Sequence, residues 1–396
     1  MQITVKSTTH RYEVLDSLRG ICACVIVFYH LNTQGMLTNS GFVQNGFLFV
    51  DFFFVLSGFV IAASYGGRLS RGYSPTAFML LRLGRIYPLH LAVLALFLVF
   101  EIVFAVAMPH SAGRPSFTDI YSVPLLVANL FLVQIFVGPD NGSWNAPAWS
   151  IAAEFWTYLV FAFVFRTAGR WLVPICLLVA AGSCIYLAFL TDRYLEVFHN
   201  GALARCLYGF SLGVIAHTVQ SRVATLGDRT VVKGLWTFSE ITAVGIVIAA
   251  VIFAGPSVYS LAIPPLLLVV ILLFAQQAGG VSRILMQKPF LILGGLSYSI
   301  YMIHGFIELR FVNLLSGVGR VLHQPLVTSV KGHNEIGGSA LFGDAMSILV
   351  LAITISCAAI SYRWVEQPMH RRSRNWVASR FSRGSGFSPE AMAPST

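Results

Sequence analysis

Arg19 and His30 stand eleven residues apart inside the first long apolar run of the chain, residues 15–36. At 3.6 residues per turn and a rise of about 1.5 Å, both fall on one helix face about 16 Å apart along the axis. An ionisable side chain in a spanning helix costs about 3 kcal/mol on insertion scales, so it is kept where it faces a protein interior or cavity. Further groups of this kind are Asp51 at the start of the second apolar run, and Glu101, Glu154 and His304 in later ones. Imidazole titrates near neutral pH and a carboxylate can orient it or stabilise its charge. This set could therefore supply acid–base or nucleophilic chemistry. Arg19, Arg82 and Arg85 offer different chemistry, because guanidinium pairs bidentately with phosphate.

The elements that must position these residues are helices in a membrane. Of the 396 residues 56% are hydrophobic and 11% charged, against about 25% charged in soluble domains. Apolar stretches recur from end to end with no polar segment long enough for a soluble catalytic domain, so the expected fold is an all-α polytopic membrane protein. The first run lacks a small-residue cleavage site and reads as a retained span. Six cysteines sit in apolar segments at irregular spacing, with neither a disulfide framework nor a metal pattern. The net charge of +10 reads as cytoplasmic loops beside membrane lipid rather than as a nucleic-acid surface.

Ten spans are expected at about 15–36, 47–65, 87–108, 149–165, 171–190, 202–217, 236–254, 258–276, 290–309 and 343–362. Basic residues follow the even-numbered spans (Arg68, Arg71, Arg82 and Arg85; Arg166 and Arg170; Arg222, Arg229 and Lys233; Arg283 and Lys288; Arg363, Arg371, Arg372 and Arg374), which puts both termini in the cytoplasm. A further apolar run, 121–137, would invert everything after it if it crossed. It holds Asn129 and Gln134 among flanking prolines, so it is expected to be re-entrant. Residues 310–342 form the longest expected outward loop, and 373–396 a polar, disordered cytoplasmic tail after a membrane domain of 1–372.

This topology sets His30, Asp51, Glu101, Glu154 and His304 in the outer half and Arg19, Arg82 and Arg85 at the inner face. Each has a purely structural alternative. His30 could bond a neighbouring helix, and Arg19 could snorkel to headgroups. Arg82 and Arg85 could serve only as topology signals, Asp51 could cap its helix, and Glu101 and His304 could pair locally.

Local words decide the reading. Leu15-Asp16-Ser17-Leu18-Arg19-Gly20 with His30, then Val50-Asp51-Phe52-Phe53-Phe54-Val55-Leu56-Ser57-Gly58-Phe59, then Arg82-Leu83-Gly84-Arg85-Ile86-Tyr87-Pro88, occur in order. Trp149-Ser150 with Glu154 and Tyr158 follows, then Leu296-Ser297-Tyr298-Ser299-Ile300-Tyr301-Met302-Ile303-His304, and finally Trp364-Val365-Glu366-Gln367-Pro368. Together they resemble the acyltransferase-3 family of membrane O-acyltransferases over residues 15 to about 370. Phe49 departs from the family, where a Gly often precedes the Val-Asp pair. The chain also looks like a short form, without the C-terminal SGNH-type hydrolase-like domain of long members, which keeps open transfer through a separate glycan-biosynthesis partner.

The resemblance implies an O-acyltransferase, expected to be an O-acetyltransferase, of the bacterial inner membrane. It would use cytoplasmic acyl-CoA, acetyl-CoA above all, and a carbohydrate acceptor of the envelope or an exported product, with no metal. His30 would be the general base or a transient acyl carrier, with Asp51 or Glu154 supporting it. Arg82 and Arg85 would hold the CoA phosphates with Arg19 deeper, and Trp149, Tyr158, Tyr301 and His304 would contact substrate. Ser57 lacks the context of a nucleophile elbow, and Glu366 is expected to pair with Arg363 or a loop arginine. A transporter with an intramembrane polar relay is the competing reading.

Overall fold

The computed structural model describes residues 12–107, 115–139, 142–226, 233–330 and 333–381. The chain opens with α1 (Glu13–His30), α2 (Gly41–Gln44), α3 (Phe49–Ile61), α4 (Gly67–Ser70) and α5 (Pro75–Ala107). Two short helices, α6 (Val123–Leu130) and α7 (Gln134–Val137), precede α8 (Ala148–Thr167), α9 (Leu172–Phe189), α10 (Ala202–Leu226), α11 (Lys233–Ala254), α12 (Ile263–Phe274) and α13 (Gly280–Leu285). Then come α14 (Lys288–Val321), a hairpin of β1 (Val327–Val330) and β2 (His333–Ile336), α15 (Ala340–Ser361) and α16 (Gln367–Phe381).

Among the described residues, eight helices are long and apolar enough to cross a membrane. The protein is thus an all-α polytopic membrane protein, apart from the one hairpin. Each of the ten expected spans has a helix. The two beyond the eight are the shorter Val258–Phe274 and α1, whose 18 residues carry Glu13, Asp16 and Arg19. Two helices outrun expectation. α5 has 33 residues with Pro88 inside it, so Arg82 and Arg85 lie within the helix rather than in a loop before it. α14 has 34 residues, about 51 Å at 1.5 Å per residue against a hydrocarbon core of about 30 Å. The expected loop 310–342 therefore begins as helix and continues as the hairpin.

The run 121–137 does not cross as one helix. α6 has eight residues and α7 four, and Leu132 between them takes φ 56°. Its polar groups bind it to its neighbours. Tyr87 Oη donates to Leu130 O at 2.6 Å, His90 Nε2 lies 3.0 Å from Asn129 O, and Trp156 Nε1 donates to Leu132 O at 2.8 Å. Backbone groups left by the break are thereby satisfied inside protein, the condition for irregular backbone at membrane depth.

Two helix pairs frame the interior. α1 and α14 meet backbone to backbone at Gly20 and Gly294, where a Cβ on Gly20 would stand 2.7 Å from Gly294 N. Ten residues further along each helix, about 15 Å, His30 meets His304. The equal step means that the two helices run parallel. α3 and α10 make the second pair, with Gly58 against Phe210 O and Gly213 against Val55 O, so close that neither site admits a Cβ. Small residues at membrane helix interfaces allow this approach and its dispersion gain.

Beyond His30 the chain turns and binds the hairpin. Gln34 N donates to Ile336 O and Ile336 N to Asn32 O, each at 3.0 Å, and Thr33 bridges to the fully buried Ile336. The hairpin thus caps the end of α1. At the other end, α16 packs on α5 through Val377, Ala77 and Leu81. Residues 373–381, expected as the start of a disordered tail, are helical because that packing holds them. Residues 382–396 lie outside the described residues.

Candidate active site

The close parallel approach of α1 and α14 produces the His30 end of the site. His30 Nδ1 is 3.0 Å from Ile26 O and 3.3 Å from His304 Nε2, with ring centroids 4.9 Å apart. A carbonyl oxygen only accepts, so Nδ1 carries the proton and shares it with His304, and Nε2 keeps its lone pair. His30 is exposed although it ends a buried helix, whereas His304 is fully buried. Tyr301 packs against His304 at 5.8 Å and against Phe53 at 5.6 Å, with its hydroxyl 2.8 Å from Ser150 Oγ and donating to Pro147 O at 3.1 Å. The result is an imidazole fixed through Nδ1, with no hydrogen bond to Nε2 among the described residues.

Neither acidic residue expected beside His30 bonds it among the described residues. Asp51 is fully buried and pairs with Arg205, also fully buried: Nη2 to Oδ2 is 2.7 Å and Nε to Oδ1 3.1 Å. Arg205 Nη2 also donates to Phe47 O at 2.7 Å, and its guanidinium lies over Trp149 at 5.2 Å. Trp149 is enclosed by Phe54 and Phe198 as well, so it packs the ion pair and faces no open space. A carboxylate at a helix start can serve as a cap, yet here burial beside α10 gives it a cation as partner.

Glu154 belongs to a middle group. Its Oε1 accepts from Ser57 and Tyr158, whose own hydroxyls lie 2.8 Å apart. Ser57 and Glu154 are half-buried although both sit mid-helix in buried spans, and Tyr158 is buried against Phe78 and Phe210. Two hydroxyls and a carboxylate thus form one hydrogen-bonded group, and Glu154 and Tyr158 are among the charges acting on Arg82. Ser57 is a hydrogen-bonding member of this group.

The inner group holds the arginines. Arg19 Nε donates to Ser297 Oγ at 2.7 Å and Nη2 to Gly294 O at 3.2 Å, with Asp16 at 3.3 Å. It is therefore tied to α14 rather than extended to the headgroups. Arg82 is buried, donates to Tyr65 Oη at 3.1 Å and lies 4.8 Å over the Tyr65 ring. A topology signal has no need of burial. Tyr65 sits in a π-helical turn, Ala62–Gly66, and a second such turn, Tyr362–Glu366, brings in Glu366. Turns of this kind are frequent at functional sites. Glu366 accepts from Ser299 Oγ at 2.7 Å and stands with Arg19 and Arg82 among the charges acting on Arg85, so of its two expected partners, Arg363 or a loop arginine, it is an arginine expected in a loop that it faces. At the rim of this group burial pushes the Tyr73 phenol up to about 12, so it stays neutral.

The site thus unites His30 with His304 and Tyr301, Glu154 with Tyr158 and Ser57, and Arg19 and Arg82 with Glu366 near Arg85. It sets Asp51 and Trp149 apart with Arg205. Arg205, Tyr65 and Glu366 escaped sequence reasoning. An arginine inside the apolar run 202–217 was a signal for the first, by the same cost argument that applies to Arg19. Glu101, another outer carboxylate, is buried and accepts from Phe117 N at 2.9 Å.

The family described as the acyltransferase domain matches residues 12–362. The acyltransferase MdmB of Streptomyces mycarofaciens is 26% identical over 386 residues, covering 91% of this chain and 92% of that one. The O-acetyltransferase OatA of Staphylococcus aureus is 26% identical over 385 residues, covering 90% of this chain and 57% of the relative. Protein 2 in picA locus of Rhizobium radiobacter is 31% identical over 189 residues, 46% of this chain and 95% of that one. No solved structure matches.

Proposed function

This chain belongs to the acyltransferase-3 family, and from that premise we propose that it is a bacterial inner-membrane O-acyltransferase that moves an acyl group from cytoplasmic acyl-CoA to a carbohydrate hydroxyl. The acyl group is acetyl in this reading, as the name of the Staphylococcus relative supports, and the acceptor is an envelope or exported glycan or a glycosylated product. The observation that carries it is the His30 imidazole, fixed through Nδ1 and open at Nε2, one acyl-carrier length from the arginine group.

The donor's phosphates fit Arg82 and Arg85, since both guanidinium groups sit at the end assigned to the cytoplasm. From Arg19 to His30 is about 16 Å, a span that the extended pantetheine arm covers, passing the hydroxyls of Ser57 and Tyr158. At the outer end Nε2 of His30 takes the proton of the acceptor hydroxyl as its oxygen attacks the thioester carbonyl. The carbon–sulfur bond then breaks, and the CoA thiolate leaves with the proton from the imidazolium. His304 is a positioning residue in this scheme: it shares the Nδ1 proton and holds the ring's tautomer. Both termini are cytoplasmic, and neighbouring envelope-glycan proteins supply or receive the acceptor.

The test uses the full chain in lipid nanodiscs with acetyl-CoA and the envelope glycan fraction from a producer strain deleted for this chain. The reading expects free CoA to appear only when glycan is added, and glycan mass to rise by one acyl group. A transporter would release no CoA, and that result would overturn the reading.

A further inference from the structure

Glu308 stands one turn beyond His304 on the same face of α14. It is 7% exposed, and its Oε1 has no hydrogen-bond partner among the described residues. An unpaired carboxylate in a buried position is costly, because desolvation removes its water without replacing it. α1 has ended at His30 before this turn of α14, and residues 32–34 pair with Ile336 of the hairpin.

A second unfilled acceptor lies close by. Asn145 is 1% exposed and donates from Nδ2 to Met302 O at 3.0 Å, which fixes the direction of the amide. Its Oδ1 is left without a partner among the described residues, 3.4 Å from where a Cβ on Gly305 would stand. Gly305 and Glu308 are three residues apart and so adjacent on the helix surface. Both unfilled atoms accept hydrogen bonds, and both flank the turn that carries His304. Asn145 Oδ1 only accepts and Glu308 Oε1 offers a lone pair, so hydroxyl donors would fill both.

We propose that Glu308 and Asn145 form the acceptor subsite, taking two hydroxyls of a polyhydroxyl acceptor so that a third hydroxyl reaches His30. The inference rests on the acyl-transfer reading and assigns the side from which the carbohydrate enters. It also separates the two substrates: the CoA end binds among arginines, the sugar end among acceptors.

The test measures half-saturating concentrations of the envelope glycan fraction and of acetyl-CoA for the parent chain, Glu308→Gln and Glu308→Ala in nanodiscs. Losing the hydrogen bond from the acceptor hydroxyl to this carboxyl, Glu308→Ala should raise the glycan value about tenfold, about 1.4 kcal/mol. Glu308→Gln, which keeps the volume and one acceptor oxygen and so protects the fold, should raise it less. The acetyl-CoA value should move by less than about twofold. An unchanged glycan value in both variants, or equal movement of both substrates, overturns the subsite. Absence of glycan-dependent CoA release by the parent chain instead contradicts the acyl-transfer reading itself.

Discussion

The α1–α14 and α3–α10 pairs use one packing device for opposite ends. Each closes on glycines, Gly20 with Gly294 in one and Gly58 against Phe210 O with Gly213 against Val55 O in the other, and each carries ionisable residues further along. In α3–α10 the charges are sealed: Asp51 and Arg205 pair with each other at zero exposure, and Arg205 Nη1 alone of the guanidinium nitrogens lacks a hydrogen-bond partner among the described residues. In α1–α14 the imidazoles are only half satisfied, and His30 stays exposed with one nitrogen free. A polar residue in a membrane helix is therefore not by its cost alone a reagent. What separates holding from reacting in this fold is whether the group is charge-paired and closed off, as Asp51 is by Arg205, or left exposed, as His30 is.

Breaking the sealed pair from one side should have the largest effect. Asp51→Asn or Arg205→Ala leaves a buried ion or donor unanswered, at about 3–5 kcal/mol, and thermal unfolding in nanodiscs should show the loss together with reduced yield. A normal melting temperature in either variant would erase the contrast. His304→Gln should act on chemistry instead. It loosens the His30 ring without removing it, so turnover should fall about 10–100-fold, with both half-saturating concentrations and the melting temperature nearly unchanged and the acid limb of the pH–rate profile displaced. A pure stability loss there would make His304 a packing residue. Arg82→Lys sharpens the comparison at the inner end: it keeps the charge but loses the planar fork over Tyr65, so the acetyl-CoA value should rise about fivefold, near 1 kcal/mol, with the glycan value unmoved.

Much of this was legible from composition and spacing. Hydropathy located all ten helices, and the prolines with Asn129 and Gln134 marked 121–137 as a segment that does not cross. The Arg19–His30 interval survives as two groups at opposite depths on one helix. Partnership was not legible. Asp51 and Arg205 are 154 residues apart, and no periodicity in either helix indicates which faces meet. The nearest carboxylates in depth, Asp51 and Glu154, were therefore assigned to His30, whereas helix packing gives each a different partner. Helix length failed where breakers were missing, so α14 ran on past residue 309 and α16 past residue 373. The polar composition of 373–381 suggested disorder because Val377, the residue that anchors it to α5, is a single apolar side chain among charges.

The central claim is that the open pair reacts and the sealed pair holds. Glycan-dependent CoA release by His30→Ala, set beside that of the double replacement Asp51→Leu with Arg205→Met, tests it most directly, since exchanging a whole buried ion pair for apolar side chains is often tolerated. With both proteins folded in nanodiscs, the account predicts a loss of at least about 100-fold for His30→Ala and activity within a few-fold of the parent for the double replacement. Retained activity in His30→Ala, or its loss in a well-folded double replacement, would contradict the account.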